Sequence, residues 1–300
     1  MWNRMTLTLG LWLAFAGYAA GQTSPAESGA RPAAACPLEA ICSLDNLGNN
    51  LLNDPIGSST NRSFLWNAGM EQGNLDEWHA PGPLGGAGGG KYDDAGGASV
   101  ATREQARSGS WSAKMVIWGT GATRLFRWEE HERNAELYYS VWFFIPQRYT
   151  VNHAAGSWAN WWQWKSLVRA TRTNDPFFIL DVNNRGGEMY VMLTWWPGLD
   201  IEGPAPGQAG GRRWHSHIDL PVKRWFQVEA RYKCAGDFTG AVQFWQDGTE
   251  IFSLDGVKTR YASGDCQWSL NNYGARISPS PVVIYIDDAV ISTSRVGAGP

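Results

Sequence analysis

Three short stretches of this chain place side chains capable of acid–base or cationic chemistry two or three residues apart. In TRLFRWEEHER, Arg127, Glu129 and His131 alternate with Phe126 and Trp128, so an extended backbone would put the first three on one face. An arginine, a carboxylate and an imidazole so placed can orient one another through charge-assisted hydrogen bonds; the alternative is a solvated edge strand. In SWANWWQWKSL, a strand over 159–166 would send Trp161, Gln163 and Lys165 to one side and Asn160, Trp162 and Trp164 to the other. An indole face beside an amide and an ammonium suits a carbohydrate cleft, where a sugar ring is stacked and directed donors fix its orientation. The competing reading is a buried Gln–Lys pair satisfied by its neighbours. In SLNNYGARIS, Tyr273 is a candidate proton carrier and Arg276 a candidate substrate contact, although a tyrosine next to glycine also serves packing. His215 and His217 in HSHIDL could share a metal, but no third ligand stands near them in sequence, which equally describes a pair on a strand edge.

The elements that would carry these residues are strands. The 300 residues include 35 glycines, 15 prolines and 13% aromatics, with short apolar runs between turn residues, a composition of all-β chains. In FQVEARYK, Phe226, Val228, Ala230 and Tyr232 alternate with Gln227, Glu229, Arg231 and Lys233, which predicts a strand with one wet face. Asp247-Gly248 between two apolar runs is the signal of a type I′ hairpin. LYYSVWFFIP, PFFILDVN, EMYVMLTWW and PVVIYIDDAVIS supply further strands. The architecture expected is an antiparallel two-sheet jelly-roll sandwich, one domain over residues 61–296. PGPLGGAGGGKYDDAGG, residues 81–97, is expected as a long loop because of its glycines.

The ends of the chain and its charge bound the function. Residues 1–21 read as a secretory signal peptide, with Arg4 before an apolar stretch and small residues before Gln22. Residues 22–60 read as a linker or N-terminal extension. No later run reaches the ~18 apolar residues of a membrane span, so the expectation is a secreted, extracellular or periplasmic protein. Four cysteines then read as disulfides, most simply Cys36 with Cys42 and Cys234 with Cys266, although four allow three pairings. The net charge of −3 gives no reason to expect a nucleic-acid or membrane partner. Residues 160–233 hold ten Lys/Arg against seven Asp/Glu, which would tolerate an acidic ligand but equally describes a solvated surface. The oligomeric state is open.

These motifs, in this order, resemble polysaccharide lyases with a concanavalin A-like (LamG-like) jelly roll, the alginate, glucuronan and heparin lyase I types. The alginate branch carries Arg-x-Glu-x-Arg, then Gln-x-His, then a late tyrosine; here stand Arg127-x-Glu129-x-His131, Gln163-x-Lys165 and Tyr273. His131 departs from the second arginine, Lys165 from the histidine, and Tyr273 lacks the usual Tyr-x-Lys-x-Gly setting. The resemblance covers about Asn61 to Ser294. It implies β-elimination on a uronate-containing polysaccharide: Arg127 and Gln163 would neutralise the carboxylate, Tyr273 would protonate the leaving oxygen and could also take the proton, and His131 or Lys165 would compete as base. Glu129, Trp161 and Arg276 would bind substrate. NAGMEQGNLDEW and YIDDAVIS also resemble the first and last strands of carbohydrate-binding jelly rolls, which implies a structural calcium at Glu71 and Asp287 or Asp288. A non-catalytic glycan-binding module would explain the tryptophans without any base. Glycoside hydrolysis on this fold ranks last, because the paired-carboxylate strand it needs is absent.

Overall fold

Alternating apolar residues fold into strands throughout. The computed structural model describes residues 64–81, 88–128, 136–196 and 212–298, all within the unit Ile56–Pro300. The leader, the extension, Cys36, Cys42, Glu129 and His131 lie outside the described residues.

Two antiparallel sheets result. The front sheet contains β2 (Gly88–Asp93), β5 (Gly121–Trp128), β7 (Trp158–Val168), β8 (Thr173–Arg185), β9 (Glu188–Trp195), β10 (Arg212–His215) and β14 (Asp265–Ala275). Its spatial order is β10-β9-β8-β7-β14-β5-β2. The back sheet contains β1 (Phe64–Ala68), β3 (Gly97–Thr102), β4 (Ser112–Ile117), β6 (Glu136–Phe144), β11 (Trp225–Lys233), β12 (Gly240–Gln246), β13 (Thr249–Val257) and β15 (Val282–Ser292). Its order is β13-β12-β11-β6-β15-β4-β3, with β1 also on β15. This is the expected jelly-roll sandwich. No helix among the described residues is long and apolar enough to cross a membrane.

Indoles and other rings fill the space between the sheets. Trp164 stacks on Tyr232 with centroids 4.1 Å apart, and Trp162 and Trp268 pack at 5.2 Å. The Asp247-Gly248 turn has φ of 47° and 80°, the positive pair that a type I′ hairpin requires. The Cys234–Cys266 disulfide forms as expected and joins the residue after β11 to β14.

Two expectations are corrected. Residues 88–93 form β2 rather than loop. A Cβ on Gly89 would lie 1.9 Å from the Phe126 carbonyl oxygen and 2.6 Å from that of Trp78, so the absence of a side chain is what lets this strand press against β5. The outer face of β11 is not uniformly wet either. Glu229 is fully buried because the tail covers it: its carboxylate accepts from Arg295 Nε at 3.0 Å, Val296 N at 2.5 Å and Gly297 N at 3.2 Å. Gln227 Nε2 donates to Gly297 O at 2.9 Å, and the Arg295 guanidinium stacks 3.9 Å from the Trp245 ring centroid.

Candidate active site

The outer face of the front sheet is built by strand parity and by two interruptions of it. In β7 the pairing with β8 shifts between Asn160 and Trp162, and again between Trp164 and Lys165. A bulge adds a residue without adding a partner and so turns the following side chains over. Trp161 and Trp162 therefore both point into the core, where Trp161 stacks on Phe143 at 5.2 Å and Trp162 packs on Phe244. Trp161, expected against substrate, is fully buried and faces the core instead. Asn160 changes sides with it: it hydrogen-bonds Asn271 and Asp181 and joins Gln163 and Lys165 on the outer face.

Arg127 is also corrected. It shares parity with Leu125, points inward and is 1% exposed. Its guanidinium lies 4.6 Å from the Trp66 ring centroid, and Nη1 donates to Trp78 O at 2.9 Å and Ala80 O at 2.6 Å. Arg127 thus fastens the 77–80 turn to β5. The outward arginine is Arg124, which lies outside the motif that carries the resemblance; its signal is the alternation of Arg124, Phe126 and Trp128 about the core residue Leu125.

Arg124 gathers the site. Its Nη1 donates to Gln163 Oε1 at 3.0 Å, and its guanidinium lies 4.6 Å from the Tyr273 ring centroid. Burial pulls the guanidinium below its ordinary value, opposed by charge interactions with Tyr273 and Tyr92. Trp158, half-buried, holds the other side of Tyr273 edge-on at 4.4 Å. Lys165 lies beyond Gln163, brought down to about 8 by burial and then by Arg124, with Asp175 opposing. Asp181 lies beyond Asn160, pushed up to about 7 by burial, with hydrogen bonds from Thr194 and Asn160 and the charge of Arg213 opposing. Ser269 Oγ and Asn271 Oδ1, on the β14 face between these groups, have no hydrogen-bond partner among the described residues, and unpaired buried acceptors at a polar face are what a polar ligand or water satisfies.

A straight row crosses the sheet. His215, Met192, Asp181, Asn160 and Tyr273 are successive cross-strand partners on β10, β9, β8, β7 and β14. Along β14, by contrast, Lys165 pairs with Gln267 and Tyr273 with Asn160. Those six residues set the two backbones roughly 20 Å apart, so Lys165 and Tyr273 do not serve one bond. Arg276, just past β14, is exposed and donates to Ala155 O at 2.9 Å, at the sheet's edge.

The three carboxylates expected to hold calcium are engaged otherwise. Glu71 accepts from Ser110 N at 3.0 Å and Trp111 N at 3.0 Å, and Asp287 from Arg107 N at 2.8 Å. Asp288 takes the Arg107 guanidinium at 2.9 Å and Ser108 Oγ at 2.8 Å. Among the described residues no group of three His, Cys, Asp or Glu side chains could hold a metal ion. A calcium ion needs converging oxygens with free lone pairs; N–H donors and a guanidinium occupy part of that capacity here.

The profile of the family described as "Polysaccharide lyase" matches residues 70–289. No curated protein matches by sequence. Among solved structures, an endo-β-1,4-glucuronan lyase from the fungus Trichoderma reesei aligns with a TM-score of 0.58 at 14% identity, over 79% of this chain and 99% of that one. A marine alginate lyase from Aplysia kurodai aligns with a TM-score of 0.51 at 8% identity, over 76% and 98%.

Proposed function

The chain belongs to the polysaccharide lyase family, and on that premise we propose that it cleaves a uronate-containing polysaccharide by β-elimination on the outer face of the front sheet. The observation that carries this reading is the joining of Arg124, Gln163 and Tyr273 into one contact group. Glucuronan and alginate, the substrates named for the two similar structures, are the first candidates.

Elimination removes the proton at C5, beside the uronate carboxylate, and negative charge builds on that carboxylate as the C–H bond breaks. The rate then depends on fixed donors aimed at the developing charge. Arg124 contributes its cation. Gln163 contributes its amide N–H groups, because its Oε1 is already held by Arg124 and the amide is thereby oriented with nitrogen outward. Tyr273 is assigned both proton steps: its phenolate oxygen takes the C5 proton, the C–H electrons form the C4–C5 double bond, the C4–O4 bond breaks, and the same proton passes to O4. The enzyme ends as it began. Trp158 holds the ring in place, and the positive guanidinium lies beside it. Lys165 is left the role of a neighbouring positive charge for the next acidic sugar, since the register sets it away from Tyr273.

The N-terminal leader read in the sequence makes this an exported enzyme, a reading that the Cys234–Cys266 disulfide supports. The test is to incubate the protein with glucuronan, alginate and heparin and follow the ultraviolet absorbance of the unsaturated uronate. Tyr273→Phe is expected to lower kcat by roughly 10²- to 10⁴-fold, and Arg124→Ala by roughly 10²- to 10³-fold. Full activity in Tyr273→Phe removes the assignment. Binding of a polysaccharide with no new absorbance from the unaltered protein returns it to a non-catalytic glycan-binding module.

A further inference from the structure

The row that crosses the front sheet ends away from Tyr273 at a feature the elimination chemistry does not use. A cavity of about 410 Å³ opens beside the β8–β9 hairpin, lined by Arg185, Gly186, Glu188, Tyr190 and His217. Its floor is aromatic. Tyr190, 5% exposed, packs against His217 at 5.1 Å and His215 at 5.6 Å, and the two imidazoles stack at 5.5 Å with planes 16° apart. Its charge is mainly positive or titratable: Arg185 and His217 line it, Arg213 and His215 stand on the adjoining strand, and Glu188 is the one acidic lining residue.

We propose that this cavity is a distal subsite that binds an acidic sugar of the same chain whose scissile bond lies at Tyr273. The proposal rests on the lyase reading and extends it to a second place on the molecule. His215 and Tyr273 are four cross-strand steps apart, which at ~4.8 Å each separates them by about 19 Å, the reach of a short oligosaccharide. Between them the row offers Asn160 and Asp181, polar groups suited to sugar hydroxyls. At its far end a phenol ring and two imidazoles give a flat face for a pyranose, while Arg185 and His217 supply donors and charge for its carboxylate. Gly186 leaves the rim open: a Cβ placed there would meet nothing within 4 Å. The stacked imidazoles are near parallel rather than converging on one point, which suits a ring or an anion better than a metal ion. His215 is held below its ordinary value by burial, then by His217, Arg213 and His153, so protonation adds a positive charge here only towards acidic pH.

The test is a length series of oligoglucuronates and oligoalginates with their parent polymers, run on the unaltered protein, His217→Ala and Arg185→Ala. Both substituted side chains are exposed; because His217 has a φ of 54°, His217→Asn, which tolerates that conformation, is the control for folding. For polymers and long oligomers each variant is expected to raise KM roughly two- to fivefold, with kcat unchanged, and the shift should vanish for the shortest oligomer cleaved. Calorimetric titration of the same polymers reads the subsite without catalysis, and the variants should lose affinity by the same factor. Equal effects at every length, or none at any length, overturn the subsite while leaving the lyase reading intact. If the unaltered protein makes no unsaturated product yet the variants weaken polymer binding, the lyase reading fails and the subsite stands; if the protein binds none of the polymers, the subsite falls with it.

Discussion

Asp181 sits in the middle of the row that crosses the front sheet, with its carboxyl pushed up to about 7 by burial. Below about pH 4 it keeps its proton in both folded and unfolded chains. Between about 4 and 7 the unfolded chain releases the proton and the folded one retains it, so the contribution to stability is lost as pH rises, and above about 7 the deficit is constant. Asp181→Asn has no proton to lose. Its stability advantage over the unaltered protein is therefore expected to grow between pH 4 and pH 8, by up to about 4 kcal/mol, in urea denaturation at the two pH values; an unchanged gap contradicts the assignment. The residues of the site were partly legible without coordinates. Gln163, Lys165 and Tyr273 are singled out by residue type and motif order, and Gln163 and Tyr273 meet at Arg124 although the register shifts at 160–162 on β7 and at 270–273 on β14. The resemblance points to Arg127, whereas the hydrophobic parity set by Leu125 assigns the outward position to Arg124.

β7 shows why alternation alone mislays an element's faces. The strand itself was plain from its aromatic content, but the bulge at 160–162 leaves no mark in residue type that separates it from regular pleating. Only the partner strand reveals it, through the shifted register. The consequence is a division of labour among four tryptophans: 161, 162 and 164 are core, and Trp158 braces Tyr273. Trp161→Ala is expected to cost about 3–5 kcal/mol of stability, measured by chemical denaturation. Trp158→Ala, half-buried at the groove, is expected to cost less than that and to lower kcat. A Trp161→Ala protein that keeps its stability but loses polysaccharide affinity returns this indole to the substrate. β2 teaches the complementary lesson: its glycines suggested a loop, yet they allow a backbone contact that any Cβ would block.

At the scale of the whole molecule the sandwich was the most legible feature, because alternating patterns, hairpin signals and turn residues all pointed to two stacked sheets. What patterns could not convey was that the outer face of the back sheet would be covered by the 295–297 segment. The Cys234–Cys266 disulfide links the two sheets across 32 positions of sequence, and a loop of that size implies about 3–4 kcal/mol of stabilisation in the chain-entropy account. Reduction under native conditions should lower the denaturation midpoint accordingly, with Cys234→Ala/Cys266→Ala as the control that no longer responds to reductant. The segment at 295–297 is clipped to Glu229 and Gln227 on the outer side of the back sheet. A tether attached at residue 297 thus starts from the rear of the sandwich, and coupling there would leave the outer face of the front sheet unobstructed.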